Sequence, residues 1–433
     1  MNKVGGYRAA LKHREFRKMT AADLISRFGD SVDSIAFAWL VYQLSGNATW
    51  SAVIFGCNML PTVLLGPFAG VMVEARDKKK VMVLCDLVRG FMVCLLAAMH
   101  AIGVLTPVGM LAITLVNSTV EAFRRPAGMA YIPQLLPKDD YDFGLSLNSS
   151  LSRGMEIIGL AAAAGIIAWL GIGGAIFIDG ATFFLSALLI ACIRKNNLFP
   201  AAKAAQEEGY WQAFRSGLSY VKKSPAILRI CLMALLLNGL MVPINALQAP
   251  LVSGLYGMGA EVLSLSGILV TAGIALGSFL YPYLSKHISA KALFIFGFLA
   301  VALCYGGLIW LAPLKNQPIL FYTGISAILL IFAFAMALLN AYATINLMKL
   351  VKPEYMARTS STLGAVTVLA IPVVSFLISG LTLILSLSYV FYLFAILSVG
   401  ALILLIRFRA IDAVTESVSD IQMQAEPLAQ AEQ

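Results

Sequence analysis

Long apolar runs separated by short polar breaks repeat along the whole chain. Trp50 to Val73, Leu160 to Cys192 and Phe376 to Ile406 each hold one or two membrane crossings, at about 20 helical residues per crossing. Gly, Pro and charge clusters divide the runs. They predict spans near 20–45, 49–74, 80–103, 107–136, 144–170 and 173–193, and then near 225–253, 262–285, 291–311, 318–348, 359–382 and 387–407. The expected fold is an all-α integral membrane protein of twelve transmembrane helices in two pseudo-symmetric six-helix bundles, over 1–193 and 225–407. Residues 194–224 hold Glu207, Glu208, Trp211, Phe214, Leu218 and Tyr220 beside Arg215, Lys222 and Lys223, which predicts a cytoplasmic linker with an amphipathic interfacial helix. The tail, 408–433, is acidic, Gln-rich and poor in large apolar residues, the composition of a disordered segment.

Composition excludes a soluble protein. Hydrophobic residues make up 60% of the chain and charged residues 12%, against about 25% charged in a soluble domain. The six cysteines fall in apolar segments without a CxxC pair and are expected to be small packing residues, not disulfides or metal ligands. The first apolar segment runs past Tyr42 without a small-residue cleavage site, so no removable signal peptide is expected.

A net charge of +9 could fit nucleic acid, but its placement encodes topology. Basic residues crowd alternate connections: Met1 to Met19, Arg76 to Lys80, Lys138, the linker, Lys286 and Lys291, Lys349 to Arg358, and Arg407 with Arg409. The opposite connections receive Lys315 alone. Under the positive-inside rule both termini face the cytoplasm, as in a bacterial inner membrane, and no nucleic-acid partner is expected.

Charge inside spans costs at least ~2.5 kcal/mol per group at mid-bilayer, so it marks a cavity or a partner. At 1.5 Å per residue, Asp33, Glu121 and Glu156 fall near one central layer, with Asp30, Arg27, Arg124, Arg125 and Arg153 nearer the cytoplasm. Spacings of three and four pair Arg27 with Asp30, Glu121 with Arg124 or Arg125, and Arg153 with Glu156. Asp33 has no close sequence partner. Burial without a partner favours the protonated carboxyl, so Asp33 leads the proton-coupling candidates, with Glu121, Asp30 and Glu156 behind it. A salt-bridge network that never titrates is the alternative. The second half is neutral at depth. Asn238, Asn245, Gln248, Asn340, Tyr342 and Asn346 could meet a cargo or hydrogen-bond between helices, and Met59, Phe332, Phe334 and Met336 could line an adaptable pocket or simply pack. Prolines 61, 67, 126, 133, 243, 250 and 372 allow kinks, and Gly159 to Gly165 fits a close interface between halves.

Gly70-Val-Met-Val-Glu74-Ala-Arg76-Asp77-Lys78-Lys79-Lys80 resembles the GxxxDRxGRR signature of the major facilitator superfamily. The resemblance implies a cytoplasmic charge relay that stabilises the outward-facing state, with Gly70 opening the signature, Glu74 in the acid's role, and Arg76, Lys78 and Lys79 as its basic partners. Ala75 and Asp77 depart from it. Phe16 to Tyr42, Val81 to Arg89, Glu121 to Pro137 and Ile178 to Arg194 narrow the resemblance to the drug:proton antiporter group that contains macrolide efflux proteins, although Leu160 follows Gly159 where antiporters carry a Gly-Pro pair. The group implies a multidrug-resistance antiporter that works by alternating access and exports amphipathic small molecules in exchange for protons. A monomer with membrane lipids around it and no cofactor is expected. Gly29-Asp30 also looks like the corresponding stretch of ferroportin-type metal exporters. His13, His100 and His287 lie near the surfaces, which leaves no soft-ligand set, and no metal site is expected.

Two other readings stand beside this one. Arg124, Arg125 and Arg153 could neutralise an anionic cargo in a dedicated exporter of one metabolite, such as a siderophore. A membrane receptor or lipid-sensing scaffold would transport nothing. HExxH, GxSxG and P-loop motifs are absent, and no enzymatic activity is expected.

Overall fold

The computed structural model describes residues 7–74, 76–137, 140–194, 219, 221–222, 224–351, 364, 366–409, 411–412 and 414. Every regular element among them is helical, because a backbone in lipid must satisfy its own hydrogen bonds. After the one-turn helix Tyr7–Ala10, the first half holds α1 (Arg14–Ser45), α2 (Ala48–Glu74), α3 (Lys78–Ala101), α4 (Pro107–Tyr131) and α5 (Tyr141–Ala191). The second holds α6 (Pro225–Ala246), α7 (Ala260–His287), α8 (Ala290–Trp310), α9 (Pro318–Leu350), α10 (Ala370–Ile384) and α11 (Leu387–Arg407).

Local chemistry sets the helix ends. Gly46, at φ 59°, stops α1 and returns its N–H to Tyr42 O at 2.8 Å. The side chains of Asp77, Thr106 and Ser289 accept from backbone N–H groups in the first turns of α3, α4 and α8. Pro126, Pro243 and Pro282 sit inside α4, α6 and α7, and Pro250–Tyr256 winds as a π-helix that ends at Gly257.

Nine described helices are long and apolar enough to cross a membrane. One of them, the 51-residue α5, breaks at Gly171, whose φ of 72° and ψ of 176° suit only glycine. Its two arms are the spans expected at 144–170 and 173–193. With α1 and α4, which carry the buried charges described below, the crossings reach the expected twelve.

Contacts divide the chain into two compact units, 1–208 with 258–265 and 209–257 with 266–433. The amphipathic helix expected in the linker and nearly all of the tail lie outside the described residues. In the first unit α5 packs on α1 and α3, and α4 packs on α2 and α3. Phe16, Met19, Met82, Tyr131 and Ile190 close an apolar core near its basic end. Of the run Gly159 to Gly165, the close approach at Gly159 is made inside the first unit. A Cβ on Gly159 would stand 2.9 Å from Phe28 O and 2.7 Å from Ser31 Cβ of α1, so this glycine lets two helices of the same unit meet.

In the second unit α8 packs on α9 and α11, and α6 on α9 and α10. Tyr305 sits at its centre against Phe332, Phe391 and Phe394, and its hydroxyl donates to Leu240 O. Tyr256 donates to Leu308 O at 2.6 Å.

Candidate functional site

The charged residues of the first unit form two adjoining networks, and the one around Arg124 is the more deeply buried. Arg124 Nε donates to Asp86 Oδ1 at 2.8 Å and a terminal nitrogen donates to Asp23 Oδ1 at 3.1 Å. Asp86 is fully buried and also accepts from Ser186 Oγ at 2.8 Å, while Asp23 accepts from Asn148 at 3.2 Å. The network therefore joins α1, α3, α4 and both arms of α5. Gly128, one turn beyond Arg124, leaves room for the guanidinium, since a Cβ there would come within 2.9 Å of it. All four carboxylate oxygens of Asp86 and Asp23 meet a donor, although Asn148 Oδ1 is buried without one among the described residues, and the arrangement suits a structural tie between helices.

The second network centres on Arg89, which donates to Asp30 at 3.0 Å, approaches Glu121 to 3.9 Å and lies 4.1 Å above the Phe183 ring. Glu121 in turn accepts from Arg125 at 2.9 Å. This network is incompletely satisfied. Arg89 Nε and Asp33 Oδ1 are buried and find no hydrogen-bond partner among the described residues. Asp179, on the second arm of α5, is 2% exposed and lies within Coulomb reach of Asp30, Asp33 and Arg89. Arg89 is thus paired with Asp30, near Glu121, and within Coulomb reach of Asp33 and Asp179, which makes this the less completely neutralised of the two networks.

Two expected pairings hold. Arg125 meets Glu121, and Arg153 meets Glu156 at 2.9 Å. Two are corrected. Asp30 takes Arg89 as its ion-pair partner, with Arg27 only in Coulomb reach, and Arg124 takes Asp86 and Asp23 instead of Glu121. Glu156 is paired with Arg153 on its own helix and has no described link to the Arg89 network. Spacing along one helix overlooked Asp23, Asp86 and Arg89, whose partners are on other helices, and Asp179, whose only described side-chain contact is Thr182. The available signal was charge inside the apolar stretches Val81 to Arg89 and Ile178 to Arg194.

Among the loop residues, Gly70 is half-buried in α2, Arg76 is exposed, Asp77 caps α3, and Lys79 donates to Ile193 O at 2.7 Å. Lys78 opens α3, and the Glu74 side chain lies outside the described residues. Lys18 donates to Cys192 O at 2.7 Å, so Lys18 and Lys79 serve the free carbonyls at the end of α5. Burial works to raise the Glu15 carboxyl, but Lys18 and the N–H of Arg194, which donates at 2.8 Å, hold it below its ordinary value.

The second-unit candidates are mostly engaged locally. Asn238 donates to Thr367 O at 3.1 Å, Asn245 to Met241 O at 3.0 Å and Asn346 to Tyr342 O at 2.9 Å, and Tyr342 packs edge-on against Phe294. Gln248 is half-buried and Asn340 exposed. Phe332 and Met336 are packed in the interior, while Met59 and Phe334 are half-buried. Among the described residues no three His, Cys, Asp or Glu side chains are arranged to hold a metal ion.

A sequence model of the Major Facilitator Superfamily matches residues 20–374. The MFS-type transporter YkuC of Bacillus subtilis is 25% identical over 89% of this chain and 93% of its own length. Macrolide efflux protein A of Streptococcus pyogenes is 23% identical over 83% and 87%. The solved nucleoside transporter NupG matches with a TM-score of 0.72 over 93% of this chain and 99% of its own at 11% identity, a likeness of fold.

Proposed function

The chain belongs to the major facilitator superfamily, and from that premise we propose that it is a proton-coupled exporter of amphipathic or hydrophobic small molecules that works by alternating access of its two units. Its standing as a membrane transporter, and not an enzyme, follows from the family and its transporter-named relatives, which also sets aside the non-transporting scaffold. The efflux name of one relative supports drug-like cargo. The observation that carries proton coupling is Asp33, a carboxylate in a membrane helix with a buried oxygen that has no described donor. A proton turns that oxygen or its neighbour into a donor and cancels the charge, so loading and release change what the helix can bury. Basic residues on alternate connections support a bacterial plasma membrane with both termini cytoplasmic.

A dedicated exporter of an anionic metabolite has less support. Arg124 is committed to Asp86 and Asp23, and Arg125 and Arg153 already pair with Glu121 and Glu156.

The test uses the full chain in proteoliposomes with an imposed pH gradient and either ethidium or erythromycin as cargo. Wild type is expected to concentrate at least one of them against its gradient. Asp33→Asn is expected to reduce uphill transport at least tenfold while leaving cargo counterflow, which needs no net proton movement, within about twofold. Undiminished uphill transport by Asp33→Asn would exclude Asp33 as the coupling group.

A further inference from the structure

We propose that Asp179 is a second proton-exchanging carboxyl and that it shares one proton with Asp33. The inference rests on the proton-coupled reading and deepens it by placing the proton between α1 and the second arm of α5. Asp179 is among the most deeply buried charged side chains of the unit, and among the described residues no arginine or lysine bonds to it. Its carboxylate has one long contact, Thr182 Oγ1 at 3.4 Å, and that hydroxyl makes its shorter bond, 2.7 Å, to the Asp179 backbone carbonyl. Asp86, buried as deeply, has both an arginine and a serine donor. Equal burial with such unequal support separates a structural carboxylate from one that changes state.

The packing holds the Asp179 carboxyl against α1. A Cβ on Gly29 would stand 2.5 Å from Asp179 Oδ1 and 2.0 Å from Thr182 Oγ1, so only glycine leaves the space that the carboxyl and its threonine occupy. Asp30 and Asp33 follow on the same helix. Asp33 lies about one helical turn beyond Gly29, and Asp30 of α1 with Arg89 and Cys94 of α3 are the other titratable groups within Coulomb reach of Asp179. Arg89 is already bound to Asp30, which leaves Asp33 and Asp179 without a full countercharge between them. One proton taken from water neutralises one carboxylate and supplies the donor that Asp33 Oδ1 lacks. Release to water on the other side restores the charge and completes the exchange without further reactants.

The test needs no known cargo for its first arm. In pH-difference infrared spectra of the purified, lipid-reconstituted chain, a protonated-carboxyl C=O band is expected to disappear on alkalinisation. Asp33→Asn and Asp179→Asn are each expected to remove or displace it, and the double variant is expected to lose no more than the larger single loss. In the second arm, Asp179→Asn should lower ethidium or erythromycin export driven by a pH gradient at least fivefold with counterflow retained, and Asp179→Glu should restore most of it. A band and a transport pH profile unchanged in Asp179→Asn would overturn the shared proton even if Asp33→Asn abolishes coupling. Counterflow lost in parallel with thermal stability, without rescue by Asp179→Glu, would reduce Asp179 to packing and also overturn it. A band that depends on both residues, in a wild type that transports neither cargo against a gradient, would uphold the pair and overturn the export reading alone.

Discussion

Asp86 and Asp179 are both buried aspartates in membrane helices of one unit, yet their surroundings assign them opposite tasks. Asp86 is held by Arg124 and Ser186, and breaking such a pair leaves an uncompensated charge. Asp86→Asn is therefore expected to destabilise the protein by about 3 kcal/mol, and Ser186→Ala by about 1 kcal/mol, measured by thermal or denaturant unfolding in detergent. If Asp86→Asn unfolds with wild type, the tie is not structural. The sequence singled out Asp33 for a sound reason, since no partner lies three or four residues away. The same spacing rule would have matched Asp86 with Arg89. Instead their side chains diverge to Arg124 of α4 and Asp30 of α1, because those partners come from other helices and one-dimensional spacing holds no record of them.

At the scale of elements, the span pattern was legible because each crossing needs its own apolar length, and the single-residue break at Gly171 falls between two expected spans. The tie at the basic end was not legible. It uses the backbone carbonyls of Cys192 and Ile193, which any sequence possesses, and lysines that topology alone already explained. Glu15 gives this tie a pH dependence. Its carboxyl sits below its ordinary value in the folded chain, so its stabilisation is complete above the ordinary carboxylate range and is lost as pH falls through the depressed folded value. Glu15→Gln is accordingly expected to lower the melting temperature at neutral pH, with the difference from wild type shrinking in acid. A difference that stays constant from neutral to strongly acidic pH would contradict this.

At the scale of the whole molecule, the described ion pairs inside the membrane helices belong to the first unit, while the spans of the second are held by aromatic packing and neutral hydrogen bonds, its one described ion pair, Arg409 with Asp412, lying past the end of α11. The basic connections predict its orientation, and Cys192, exposed at the basic end of α5, supplies a native reporter. In intact cells a membrane-impermeant maleimide should leave Cys192 unlabelled until the cytoplasmic side is opened. A Lys315→Cys variant in a Cys192→Ser background should react from outside at once. Reversed labelling would invert the topology. The neutral character of the second unit also bears on how such a protein diverges. Side chains that bond only to a neighbouring backbone carbonyl, as Asn245 and Asn346 do, can be exchanged one at a time at small cost. Asp86 and Arg124 can change only together, so lineages descended from this chain should drift fastest in one half while the buried ions of the other hold it nearly still.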